Sequence, residues 1–288
     1  MEPERLGVPV GGTTVGALRW PGAAGTPTVV ALHGITANAW SWAGVARHLD
    51  GAASLVAIDL RGRGASAGAP GPFGMRRHAD DAAAVIEGLG LGPCVVAGHS
   101  MGAYVALMLA ERHPALVTHL VLVDGGVALP LPDGLDVPAA LDASLGPAIE
   151  RLRTTYASPE EYRAMWARHP AFAAGLTPDV ERYVLADLVE RDGAWVSCVS
   201  EEAVRTDGAE LLTDAEVRSL LDEAAPATVV RAETGLFAAP PPLIPVEVME
   251  HHTRHRWVTV PGANHYTVLA GEQGAAVVAA EIVRALPS

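Results

Sequence analysis

The chain has 288 residues, and its 33 acidic side chains against 20 lysines and arginines give a formal charge of -13. That balance disfavours nucleic acid or an anionic membrane surface as the main partner. Half the residues are hydrophobic and 18% are charged, a composition that fits an ordered globular chain and excludes a disordered one.

In chain order, the opening MEPERLGVPV carries acidic charge where an export signal has a positive region and then an apolar run. No stretch of about 18 consecutive apolar residues occurs, so the expectation is a cytoplasmic protein without stable membrane insertion. Residues 6–20 read as a hairpin turning at Gly11-Gly12. Four β-branched runs follow at 28–32 (TVVAL), 54–58 (SLVAI), 94–97 (CVVA) and 119–123 (HLVLV), bounded by Gly, Asp or Pro. Between them, 39–49, 75–89 and 101–113 repeat apolar residues at helical spacing, and Pro114 stops the last. This alternation predicts a mostly parallel sheet flanked by helices, an α/β fold.

From 128 to 225 the rhythm changes to proline-led amphipathic helices with no convincing strand. Ser158-Pro159-Glu160-Glu161 combines a cap hydroxyl, a proline at the first helical position and a capping-box acid. After it Tyr162, Met165, Trp166 and His169 share one face. Thr177-Pro178 opens another helix, and Thr213 with Glu216 forms a second capping box. Strand and helix return with a strand at 228–231, a proline-rich loop at 240–242, a helix from Pro245, a strand at 257–260 and a last helix at 273–286. The expected division is a core of 1–127 and 226–288 with a helical cap of 128–225, set over the carboxyl ends of the strands where open α/β sheets bind ligands.

The sharpest local signal is Gly98-His99-Ser100-Met101-Gly102, a G-x-S-x-G lying directly after the strand CVVA and directly before an apolar helix. A serine on such a strand-to-helix turn projects its oxygen away from the sheet, and the small flanking residues let strand and helix approach closely. The amide of Met101 stands where the donor following a nucleophile should be, ready for the oxyanion that attack on a carbonyl creates. The bland reading of Ser100 is a helix-capping hydroxyl.

With these residues in view the chain resembles the α/β-hydrolase fold superfamily, of the capped kind that includes esterases, lactonases, epoxide hydrolases and C–C bond hydrolases. His33-Gly34 resembles the family's oxyanion-loop motif, and the run Asp59-Leu60-Arg61-Gly62-Arg63-Gly64-Ala65-Ser66 resembles its turn after the next strand. The resemblance implies the amide of Ile35 as second oxyanion donor, with His33 and Asp59 serving loop architecture. Ser100 needs a base, since an unassisted hydroxyl is a poor nucleophile at neutral pH. His265, in the loop Pro261-Gly262-Ala263-Asn264-His265-Tyr266 between the final strand and the final helix, is the candidate general base, and the resemblance places the family's histidine there too. His99 is the weaker choice, because neighbouring side chains diverge on a sharp turn.

The third member of such a triad is open in the sequence. Most relatives carry an aspartate after the strand before the last, in a segment like G-E-x-D, but here that stretch reads Arg231-Ala232-Glu233-Thr234-Gly235. Asp124, just after the strand HLVLV, and Glu233 both lie at strand ends, and some members, the haloalkane dehalogenases, take their acid from the former place. Asp124 is favoured, with Glu233 as the alternative.

Other clusters carry less. Cys94 and Cys198 are too few for a disulfide scaffold and lack metal-ligand spacing. His251, His252 and His255 have metal-capable spacing without a defined acidic partner. The glycine stretches at 61–64 and 88–92 lack the spacing or strand order of phosphate and dinucleotide loops. No cofactor and no metal are expected.

The reading is a cofactor-independent serine hydrolase, esterase- or lactonase-like, that acts on a mostly apolar small molecule through an acyl-enzyme. Leu131, Leu135, Leu141, Trp166 and Tyr183 are candidate pocket wall. C–C bond hydrolysis, thioester hydrolysis or a noncatalytic small-molecule binding protein are the alternatives. Epoxide hydrolase and dehalogenase chemistry are disfavoured, because the resembling members carry an aspartate at the position of Ser100. The expected partner is a small-molecule substrate, with a homodimer left open and no nucleic acid.

Overall fold

The computed structural model describes residues 2–128, 134 and 136–287. In chain order the elements begin with β1 (Glu4–Val10), β2 (Thr13–Trp20), β3 (Thr28–Leu32), α1 (Ala43–His48), β4 (Ser54–Ile58), α2 (Met75–Gly88), β5 (Cys94–His99), α3 (Met101–Arg112) and β6 (Val117–Val123). The inserted region holds α4 (Val137–Arg153), α5 (Pro159–Ala167), α6 (Pro178–Leu185), β7 (Leu188–Arg191), β8 (Ala194–Ser197), α7 (Glu201–Thr213) and α8 (Ala215–Glu223). The chain closes with β9 (Thr228–Ala232), α9 (Val246–His251), β10 (Arg256–Val260), α10 (Thr267–Ala270) and α11 (Glu272–Ala285).

One sheet runs in the order β1-β2-β4-β3-β5-β6-β9-β10. Only the pairings made by β2 are antiparallel, so the centre is a parallel sheet. Its inner strands are apolar on both faces because both faces are covered. Val30, Leu32, Val96 and Leu122 point into one core with residues of α2, α3 and α8, while Val29, Ala31, Val95 and Val121 point into a second with residues of α1 and α11. The alternation of neighbours such as Val29 and Val30 between the two cores is the period-two pattern of a strand. An inserted helical cap lies between β6 and β9 and has its own aromatic core of Tyr156, Tyr162, Trp166, Phe172 and Tyr183.

The expected strands and helices are present with ends shifted by a few residues, and two readings of the insert are corrected. First, it contains strands: β7 and β8 pair antiparallel about Asp192-Gly193. Both turn residues have positive φ, 51° and 78°, the backbone a tight hairpin demands and an Asp-Gly pair supplies. Second, α8 is capped not by Thr213 but by Asp214, whose carboxylate accepts from the amide of Val217 at 3.1 Å. The Thr213 hydroxyl instead donates to Ala209 O at 2.8 Å, at the end of α7. The Ser158 cap is formed as expected, accepting from Glu161 N at 3.3 Å.

No helix among the described residues is long and apolar enough to cross a membrane.

Candidate active site

Ser100 sits between β5 and α3 with φ 54° and ψ -121°, a backbone conformation rare for a residue with a side chain. The neighbouring glycines are obligatory there. A Cβ at position 98 would lie 2.1 Å from Gly102 O, and one at position 102 would lie 2.2 Å from Leu32 O. The turn therefore closes only with hydrogen at both places. The Ser100 amide donates to Val123 O at 2.9 Å, which ties the turn to the end of β6. Gly125 is pressed against the same turn, since its Cβ would come within 2.3 Å of Ser100 O.

His265 and Ser100 line one cavity of about 420 Å³, a volume suited to a small organic molecule. His265 Nδ1–H donates to Asp124 Oδ2 at 2.7 Å, leaving Nε2 unprotonated in the neutral ring. Asp124 follows β6 directly, with φ 45°, and is fully buried. Burial opposes its charge, yet the hydrogen bond and electrostatic attraction of the adjacent His265 and the amide of Ala232 at 3.0 Å together hold its carboxyl below the ordinary range. Glu233 is exposed and accepts from Gly262 N at 2.8 Å, so it braces the loop that carries His265 from outside. Of the two carboxylates left open by the sequence, only Asp124 meets the imidazole.

Gly34 and Ile35 line the cavity beside Ser100. A Cβ at position 34 would be 3.3 Å from Ser100 Cβ, so this glycine lets the loop backbone lie against the serine. Met101 is the first residue of α3, where amides lack intrahelical acceptors and the helix end is electropositive. His33 is buried and structural: Nδ1–H donates to Gly34 O at 2.8 Å, and Nε2 accepts from Leu60 N at 2.9 Å. Burial pushes it down to about 3, so it stays neutral. Asp59 accepts from Ala39 N at 2.7 Å and Ala65 N at 3.0 Å, and burial pushes its carboxyl up to about 6.

Several supporting residues were not legible in the sequence. His99 Nε2–H donates to His265 O at 2.9 Å, with the two rings 4.8 Å apart, so the residue before Ser100 holds the backbone of the histidine loop. Burial, then the adjacent His265, push the His99 ring down to about 3. Asn264 accepts from Tyr266 N and Thr267 N and donates to Ala171 O of the cap at 2.9 Å. A second tie joins cap and core. Asp207 of α7 pairs with Arg63 at 2.6 Å and with His78 at 2.9 Å, all buried, and Arg63 Nε donates to Ile35 O at 2.9 Å. These pairings span 28 to more than 140 positions, a range that local patterns do not encode.

Trp166, Tyr183 and Leu141 line the cavity, while Leu131 and Leu135 lie outside the described residues. His251, His252 and His255 form no metal-capable group, nor does any other set among the described residues.

A model of the alpha/beta hydrolase fold matches residues 27–197. Lipase LipV of Mycobacterium tuberculosis is 37% identical over 170 residues, 59% of this chain and 59% of the lipase, so the match spans less than two thirds of that relative. A 2-(acetamidomethylene)succinate hydrolase of Mesorhizobium japonicum is 26% identical over 249 residues, 83% of this chain and 82% of its own. The crystal structure of E-2-(acetamidomethylene)succinate hydrolase superposes with a TM-score of 0.77 at 23% identity, covering 98% of both chains, a likeness of fold. The tight strand-to-helix turn at Ser100, the strand order and the matched span agree, and the chain belongs to the alpha/beta-hydrolase fold family.

Proposed function

We propose that the protein is a cofactor-independent serine hydrolase that cleaves an ester or lactone of a mostly apolar small molecule through an acyl-enzyme. The observation that carries this reading is the 2.7 Å bond between His265 Nδ1 and Asp124 Oδ2 at the wall of the cavity that Ser100 also lines. In the first step Ser100 Oγ attacks the substrate carbonyl while His265 Nε2 takes the hydroxyl proton. Asp124 keeps the imidazole in the needed tautomer and stabilises its cationic form. The amides of Ile35 and Met101 donate to the tetrahedral oxyanion. His265 then returns the proton to the departing alkoxide, and the acyl-enzyme remains. A water molecule, deprotonated by the same nitrogen, attacks the acyl carbon, and Ser100 leaves with the proton as the acid is released.

A fluorophosphonate probe tests the nucleophile. Covalent labelling of the wild type and its loss in S100A support the reading. Labelling unchanged in S100A refutes it. Esters, lactones and thioesters of graded chain length, assayed without added metal, then identify the bond that is cleaved; turnover of none of them by a protein that labels would move the assignment to C–C bonds.

A further inference from the structure

The cavity wall is largely apolar, but among the described residues it contains one guanidinium. Arg151, in the last turn of α4, lines it with its side chain only 9% exposed. Its Nη1 is fully occupied from behind, donating to Tyr162 Oη at 2.7 Å and to Asp187 Oδ2 at 2.6 Å. Asp187 is itself held by the Ser197 hydroxyl at 2.7 Å and by the hydroxyl of Tyr162, and it does not line the cavity. The guanidinium carbon lies over the Trp166 ring, 5.1 Å from its centre, a cation–π contact. An arginine has five N–H donors, two of them on Nη1. Nε and Nη2 have no protein partner among the described residues.

Trp166, whose ring lies beneath the guanidinium, lines the same cavity. A charged group with donors not used by the protein, at the wall of an apolar chamber, marks a place where an acceptor can come from the ligand. The other titratable groups of the wall do not compete. Asp124 is engaged with His265, and burial pushes the His169 ring down from its ordinary value, Arg151 adding to the same direction. Ring contacts run from His265 to Tyr266 (6.0 Å) and from Tyr266 to Trp166 (6.1 Å), so the guanidinium is two aromatic neighbours from the histidine.

We infer that Arg151 is the anchor for a carboxylate carried by the substrate, so that the substrate is a small, otherwise apolar ester or related acyl compound with one anionic end. This inference rests on the serine-hydrolase reading for the reaction, but not for the binding. The planar guanidinium presents Nε and Nη2 as a side-on fork that matches the two oxygens of a carboxylate, while Asp187 and Tyr162 keep it from turning away.

The test compares p-nitrophenyl hemiglutarate with the neutral p-nitrophenyl valerate, which share acyl length. The wild type should favour the anionic ester in kcat/KM by roughly ten- to a hundredfold, the range of a charged hydrogen bond. R151M should abolish that ratio and R151K should retain part of it, with thermal melting of each variant reporting its fold. Glutarate should also slow fluorophosphonate labelling of the wild type, whereas glutaramide should not. A wild type that labels and turns over the neutral ester equally well or better, unprotected by glutarate, overturns the anchor and leaves the hydrolase reading intact. Should labelling fail altogether, calorimetric titration of glutarate into wild type and R151M decides the anchor alone: binding lost in the variant supports it, and no binding to the wild type overturns it.

Discussion

The pair between Asp207 and Arg63 offers a quantitative test of how the cap is fastened. Both side chains are fully buried, and Asp207 also holds His78 at 2.9 Å and accepts from Gly74 N at 2.7 Å. Burial opposes the charge of Asp207, but His78 and Arg63 outweigh it and hold the carboxyl below its ordinary value. D207A strands the guanidinium in a dry site, a loss of about 3–5 kcal/mol for a broken buried pair, and it also orphans the Gly74 amide. With about 4 kcal/mol lost and roughly 2–4 °C per kcal/mol for a chain of this size, the melting temperature should fall by roughly 8–16 °C. Calorimetry on wild type, D207A and the double variant R63M/D207L measures this, and the double variant should recover part of the loss, because neither charge remains although the Gly74 amide and the Ile35 carbonyl still lack partners. Since the folded-state pKa of Asp207 is depressed, its contribution is fully present above the unfolded value and is lost as pH falls through the folded one. The difference between wild type and D207A should therefore shrink in acid. A fall of less than about 3 °C, or a double variant no better than D207A, would refute the reasoning.

Two further outcomes are expected. D124N should lower turnover by at least about tenfold, because the imidazole loses its tautomer and charge partner, whereas E233Q, on the outside of the loop, should change it little; kinetics of both variants check this, and the reverse order would reassign the acid. Asp59 has the opposite sign to Asp207: its folded-state pKa, pushed up to about 6 from an ordinary 3.8, makes the native state bind a proton that the unfolded chain does not bind. That proton favours folding most strongly below 3.8, and the advantage is lost as pH rises through about 6. Wild type should gain stability relative to D59N on going from pH 7 to pH 5, as melting curves at the two values would record.

What could be read from the sequence follows from the range of the interactions involved. The runs TVVAL, SLVAI and CVVA are continuous apolar segments because a parallel sheet is covered on both faces, and each appears as a strand. The elbow was equally legible, since its geometry is enforced by glycines two positions either side of Ser100. The β7–β8 hairpin is poorly legible although Asp192-Gly193 marks its turn, because its strands of four residues each are too short to show a period against the helices around them. The contest between Asp124 and Glu233 could not be resolved by position in the chain. Both end a strand, and only the direction of the side chain distinguishes a carboxylate inside the sheet edge from one outside it. The roles of Arg151 and Asp207 lie in contacts across the cap and between cap and core, and neither has a motif.

The chain leaves the central sheet after Val123 and comes back at Thr228, and these strands are direct neighbours: Val121 pairs with Thr228, Leu122 with Val229 and Val123 with Val230. About a hundred residues are thus spliced into a junction whose two lips are already hydrogen-bonded to each other. Exit and return are fixed points of the sheet, and Asp124 is held at the exit by its own amide, which donates to Val230 O at 2.8 Å. The register of β6 and β9 is thus set by the strands' own ladder, at the place where the inserted cap begins and ends.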